Sequence, residues 1–144
     1  MQVQAILATK GDGVVSIAGN ASILEAATLM TERKIGSVVV MGAEKRVIGI
    51  FTERDFMRMV AADASSALQR TVADVMTRGV MTCTGDVTVE EVMNVMTEKK
   101  FRHLPVVDRQ GRLLGIISIG DAVKYRLQQA EREQEALRDY IQTA

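Results

Sequence analysis

Two seven-residue stretches hold the residues best suited to grip a ligand, Gly49-Ile-Phe-Thr-Glu-Arg-Asp55 and Gly115-Ile-Ile-Ser-Ile-Gly-Asp121. Each runs from a glycine through two apolar residues to a hydroxyl, with an aspartate three positions further on. Where the hydroxyl residue, Thr52 or Ser118, marks the change from strand to helix, the first helical amides point outward and favour an anion. A carboxylate one turn in, Asp55 or Asp121, lies on the same side and can accept both hydrogen bonds of a ribose cis-diol. The apolar strand alongside suits a flat base. Phosphate, diol and base surface together describe a nucleotide site. The same spacing also fits a capping box, in which the two side chains serve only the unpaired amides of their own helix. A duplicated cap looks the same as a duplicated site, so the motif alone leaves both readings open.

The two stretches belong to a longer repeat. Residues 15–55 lie over 81–121 at a constant offset of 66 without a gap. The identical pairs are Gly19/Gly85, Glu25/Glu91, Met30/Met96, Thr31/Thr97, Glu32/Glu98, Lys34/Lys100, Val40/Val106, Arg46/Arg112, Gly49/Gly115, Ile50/Ile116 and Asp55/Asp121. Two copies of one supersecondary unit, each small for a core of its own, are expected to face each other about an approximate two-fold axis, with paired clefts.

Within each copy the pattern predicts strand, helix, strand, strand, helix. In the first, 14–17 is a short strand. Asn20-Ala21-Ser22 offers caps for a helix to about Lys34, and Ser37-Val-Val-Val-Met41 is a run fit for a strand buried on both faces. Gly42-Ala-Glu-Lys-Arg46 predicts a hairpin turn into a strand over 47–51, and Thr52 opens a helix to about Ala62. In the second, 81–84 is a strand and Asp86 or Thr88 caps the next helix. Strands over 104–107 and 113–117 follow, with Pro105 at a strand start or an edge because it cannot donate to a ladder. Thr71-Val-Ala-Asp-Val-Met76 resembles Gln2-Val-Gln-Ala-Ile-Leu7, so each copy has a short lead-in helix. The expected organisation is 1–62 for the first unit, 63–70 for a linker, 71–127 for the second and 128–144 for a helical extension. All of it forms one module, since each copy's apolar helix face needs the other.

The last helix is different. Val123, Leu127, Ala130, Gln134, Leu137 and Ile141 step by fours and threes, a heptad seam with one polar position, opposite a charged face. It packs either back on its own module or on a second subunit.

Composition narrows the function. Eighteen basic residues balance 18 acidic ones, and the few aromatics are not interleaved with a basic patch, which disfavours nucleic acid. Cys83 is the one cysteine, so neither an intrachain disulfide nor a cysteine-paired zinc site is expected. It is expected to be an inert packed thiol. His103 is the one histidine, and without a serine or cysteine nucleophile pattern it does not suggest catalysis. No segment approaches the roughly 20 apolar residues of a membrane span, and the N-terminus is too short and polar for a signal peptide. A cytoplasmic, non-enzymatic protein without a metal is the expectation.

The order of elements, the two Gly-x-x-Ser/Thr-x-x-Asp endings and Phe101-Arg-His-Leu-Pro-Val-Val-Asp108 resemble the CBS domain family, and two tandem copies resemble a CBS pair, or Bateman module. The resemblance covers the chain from about Val3 to Leu127. It implies an α/β (α+β) fold of two β-α-β-β-α units packed as a pseudo-two-fold pair. It also implies clefts for adenosine ligands: AMP first, with ADP, ATP, NAD(H) and S-adenosylmethionine also found in the family. On that resemblance Asp55 and Asp121 bind ribose, and Thr52 and Ser118 lie near ribose or phosphate. Arg102 and His103 form a basic pair reaching phosphate near the two-fold axis. The backbone around Ile17, Gly19 and Cys83, with Val38, Leu104 and Pro105 nearby, holds the adenine. The first copy departs from the pattern with Gly36 and Ser37 at the basic positions, and its Arg54 matches Gly120, so the clefts are unequal. The implied role is a regulatory nucleotide sensor in signal transduction, a disc-like homodimer acting through its own quaternary change or an effector protein. The alternative is a structural, dimerising adaptor with empty clefts.

Overall fold

The structure, a computed structural model, describes residues 1–10 and 14–143. After α1 (Val3–Lys10), the first copy forms β1 (Ser16–Ala18), α2 (Ile23–Arg33), β2 (Ser37–Met41), β3 (Val47–Thr52) and α3 (Glu53–Ala62). The second begins with α4 (Val72–Val75), followed by α5 (Val89–Lys99), β4 (His103–Val107), β5 (Leu113–Ser118) and α6 (Ile119–Thr143). β1 runs parallel to β2, which pairs antiparallel with β3, and β4 pairs antiparallel with β5.

Local chemistry explains the matching elements. Ser22 and Thr88 cap α2 and α5, each accepting from the amide three residues on, Glu25 N at 3.1 Å and Glu91 N at 3.2 Å. Both helices stop at a lysine in the left-handed region, Lys34 (φ 56°) and Lys100 (φ 58°), a position more often given to glycine. Val38, Val39 and Val40 are fully buried, as the β-branched run of β2 predicts.

Two expectations change, and the hairpin turn expected over 42–46 is present with its positive φ angles at residues other than its glycine. The 81–84 segment is not a strand: only Cys83 pairs with β4, through Cys83 N to Pro105 O (3.0 Å) and Val107 N to Cys83 O (2.8 Å). The matching β1–β2 ladder has three rungs, including Ser16 opposite Val39. The proline at position 105 stands where the first copy has Val39, and it has no N–H to extend the ladder. The first hairpin turn is made by Glu44 and Lys45 at positive φ (59° and 60°), with Gly111 (φ 81°) in Lys45's place in the second. Gly42 instead makes room, since a Cβ there would stand 2.9 Å from Ile48 Cγ2. Finally, the copies do not share one core.

Ile23, Met30, Val38, Val40, Phe51 and Met59 form one core, and Val89, Val92, Met96, Leu104, Val106 and Ile117 form another. The lead-in helices are exchanged between them. Val3 and Ile6 of α1 are buried in the second core, and Val72 of α4 with the following Met76 in the first. Backbone bonds repeat the exchange: Val3 N to Val87 O and Gln4 N to Gly85 O on one side, Val72 N to Ala21 O and Ala73 N to Gly19 O on the other, all 2.8–2.9 Å. Arg46 and Arg112, equivalent in the repeat, are bridged to each other. The pseudo-two-fold axis therefore passes between them. Among the described residues no helix is long and apolar enough to cross a membrane.

Candidate functional site

Each motif forms a corner where a strand hands over to a helix N-terminus. Its glycine is a packing requirement. A Cβ on Gly49 would meet Met76 Sδ at 2.6 Å and Thr77 O at 2.8 Å, and one on Gly115 would strike the end of Leu7. The exchanged lead-in segments thus run directly behind the two corners.

In the first corner Thr52 N donates to Asp55 Oδ2 (3.0 Å), Thr52 Oγ1 donates to the same oxygen (3.1 Å), and Asp55 N donates to Thr52 Oγ1 (3.2 Å). The capping box weighed from sequence is therefore present. Thr77 Oγ1, from the other half of the chain, donates to Asp55 Oδ1 (3.0 Å), and Arg58 stands 3.8 Å from that oxygen. Asp55 is 3% exposed, so a ribose reaching it must displace Thr77.

The second corner is more open. Ser118 N donates to Asp121 Oδ2 (3.0 Å), and Asp121 N donates to Ser118 Oγ (3.0 Å). Lys10 Nζ donates to the same Oδ2 (2.7 Å), and the Asp121 side chain stays 25% exposed. Oδ1 accepts no side-chain hydrogen bond from the described residues. Burial pushes the Asp121 carboxyl up, but the hydrogen bonds from Lys10 and Ser118 outweigh it and hold the group below the usual carboxylate range.

His103 stands opposite Ser118 in the β4–β5 register. Partial shielding of its ring holds the imidazole below its ordinary pKa, reinforced by Lys10 and Arg102 and opposed by Asp121. Arg102 is exposed, and its carbonyl accepts from Ile119 N at 2.8 Å. This basic pair lies at the far end of the hairpin from Arg112, beside its own corner and away from the point where the two copies bridge. Arg54 is exposed on α3. Ser37 faces Thr52 where the second copy has His103.

The residues assigned to the adenine divide. Val38 and Leu104 are fully buried in the two cores, Pro105 is buried within β4, and Ile17 packs against the first core. Gly19 lies at the end of β1 remote from Thr52: Ser37, which faces Thr52, starts the strand whose far end pairs with Ala18. A Cβ on Gly19 would meet Ile48 and Ala73, so its backbone serves the lead-in segment. Val15 and Ser16 lie at the end of β1 nearer Thr52. Cys83 and Leu104 line a cavity of about 360 Å³ with Met81, Val95 and Val107, apart from Ser118 and Asp121. The larger groove, about 560 Å³, lies between α2 and α3, lined by Met30, Ile35, Phe56 and Met57. It includes neither aspartate, and the corner geometry is the stronger evidence because it unites helix N-terminus, carboxylate and cations.

Cys83 is half-buried, and burial together with the Asp86 carboxylate pushes its thiol up to about 11. Iodoacetamide at pH 8 is therefore expected to modify it about tenfold more slowly than an unhindered thiol, with the difference vanishing in denaturant. Equal rates in the folded and unfolded chain would contradict this. Among the described residues no group of His, Cys, Asp and Glu could hold a metal ion.

Sequence reasoning missed Lys10 and Thr77, the two side chains that close the corners from opposite halves of the chain. Their one signal was the similarity of the lead-in segments, which shows that these correspond but not which copy each one covers.

The arrangement is a duplicated strand–helix corner about a pseudo-dyad, and comparison identifies its class. The CBS domain profile matches residues 7–62 and 72–128, so the chain belongs to the CBS domain family as a tandem pair. Its relatives include an uncharacterised 17.7 kDa protein of Acidianus ambivalens, 37% identical over 123 residues, covering 85% of this chain and 71% of that protein. The crystal structure of the CBS-domain containing protein ATU1752 from Agrobacterium tumefaciens matches with a TM-score of 0.76 at 46% identity, over 87% of this chain and 98% of that one. The crystal structure of CBSX2 in complex with AMP matches with a TM-score of 0.72 at 25% identity, over 81% of this chain and 89% of that one.

Proposed function

We propose that this chain is a regulatory sensor of adenine nucleotides, with the Ser118–Asp121 corner as its principal site. The observation that carries the reading is an incompletely engaged carboxylate at a helix N-terminus, set beside Arg102, His103 and Lys10. The AMP complex of CBSX2 supports the ligand class. The carboxylate takes the ribose hydroxyls, the basic groups take phosphate, and binding shifts the relation of the two copies only as far as the ligand prefers one arrangement. Output passes through a partner protein or a second copy, met along α6. The mode is binding rather than catalysis: Ser118 Oγ serves as the cap of α6, accepting from Asp121 N, and among the described residues no hydrogen bond joins it to His103. AMP, the other adenosine phosphates, NAD(H) and S-adenosylmethionine form the panel to test.

Thermal unfolding of the full chain provides the test. A ligand at about 100 times its Kd stabilises by about 2.7 kcal/mol, which raises Tm by about 5–10 °C for a chain of this size. Asp121→Asn is expected to abolish the rise, and Asp55→Asn to leave most of it. A wild-type Tm unmoved by the whole panel would overturn the reading. The satisfied capping box at Asp55 favours a second reading, a dimerising adaptor with empty clefts. It predicts the flat Tm together with unchanged self-association in both variants.

A further inference from the structure

Lys10 is the last residue of α1, which Val3 and Ile6 anchor in the second core. Its ammonium has three N–H groups. One donates to Asp121 Oδ2 (2.7 Å) and one to Ile116 O (3.1 Å). The side chain is 40% exposed, so the third can face solvent. At the first corner the exchanged segment presents to Asp55 the neutral hydroxyl of Thr77 instead. The carboxylate of Glu53 also lies against Gly36, the position matching Arg102, with Glu53 Cδ 3.4 Å from where a Cβ would stand. One corner therefore sets Lys10 on its carboxylate with His103 and Arg102 at the neighbouring strand start, while the other carries Arg54 and Arg58 together with the two carboxylates of Glu53 and Asp55.

We propose that Lys10 makes the second corner selective for the number of phosphates on its ligand. This inference rests on the nucleotide reading above. In the empty corner the ammonium balances Asp121. When ribose hydroxyls donate to that carboxylate, the flexible lysine stem lets the ammonium swing to the phosphate chain while α1 keeps it within reach. Each added phosphate charge strengthens the attraction to a fixed cluster of donors. Among the described residues the first corner has no lysine anchored in this way, and its phosphate preference does not depend on Lys10.

Calorimetric titration of the full-length protein with adenosine, AMP, ADP and ATP, without magnesium, tests this. In wild type the affinity is expected to rise about tenfold from AMP to ATP. Lys10→Met is expected to bring the two within about twofold and to leave adenosine unchanged or tighter, because Asp121 is released, while Lys10→Arg keeps the selectivity. The salt dependence of ATP binding falls with it. An ATP-to-AMP ratio equal in wild type and Lys10→Met overturns the role of Lys10 while the nucleotide reading stands. If wild type binds neither adenosine nor any phosphate, both fall.

Discussion

Asp55→Ala is expected to cost about 2–4 kcal/mol of stability in the absence of nucleotide, a fall in Tm of about 5–12 °C at this chain length. The carboxylate is buried and accepts from the Thr52 amide, the Thr52 hydroxyl and the Thr77 hydroxyl. Alanine uncaps α3, leaves buried donors unpaired, and removes one of the links between the two halves of the chain, the bond from Thr77. Asp121→Ala removes a partly exposed group whose main partner is an exposed lysine, and the expected loss is about 1 kcal/mol. Asp55→Asn keeps one acceptor and recovers part of the loss. Urea unfolding of the three variants, analysed as two-state, makes the comparison. Equal losses at the two aspartates would show that the corners do not differ as described. Together with the nucleotide-dependent Tm of Asp121→Asn, the series separates the two readings of the Ser/Thr-x-x-Asp motif: at Asp55 the cap carries most of the effect, and at Asp121 the ligand does.

The motif chemistry was legible because it is local. Thr52 and Asp55 are one helical turn apart, and their mutual bonds follow from that spacing once the strand ends at Thr52. Ser22 and Thr88 as caps, and the buried run from Val38 to Val40, are legible for the same reason. Lys10 and Thr77 were not, because they reach their corners through an exchange that residue spacing does not encode. The repeat offset is 66 for the strands and helices and 69 for the lead-in segments. That three-residue slip is compatible with α1 covering either copy. The repeated glycines Gly49 and Gly115 gave no sign that Met76 and Leu7 are the groups packed against them. That Gly19 lies away from Thr52 follows from the direction of β1, which residue type does not encode.

Disruption of the α6 seam is expected to turn a dimer into a monomer. Among the described residues α6 packs on the chain through its first three turns, with Ala122 and Tyr125 in the core and Arg126 paired to Glu90. The alternative of folding back holds no further, since Leu127, Leu137 and Ile141 are 61%, 59% and 65% exposed. At 100° per residue the seam lies about a third of a turn from the face carrying Ala122 and Tyr125, so a second helix can dock without meeting the module. The flanking charges favour one orientation. In a parallel pair Arg126 meets Glu131 of the other copy and Glu133 meets Arg138, whereas an antiparallel pair sets Glu131 and Glu133 against their own copies and Lys124 against Arg138. Arg126 already pairs with Glu90 at 3.2 Å, so Glu133 and Arg138 are the informative positions. Leu127→Lys with Leu137→Lys removes four apolar side chains from the dimer, each contributing on the order of 1.5 kcal/mol, and is expected to weaken association by at least about a hundredfold. Glu133→Arg alone weakens it by a smaller factor, and Glu133→Arg with Arg138→Glu restores it by exchanging the partners. Light scattering across a dilution series reads all three. A Glu133→Arg variant that associates as tightly as wild type, alongside a leucine variant that does dissociate, would mean the helices pair in the other direction, where position 133 meets its own copy.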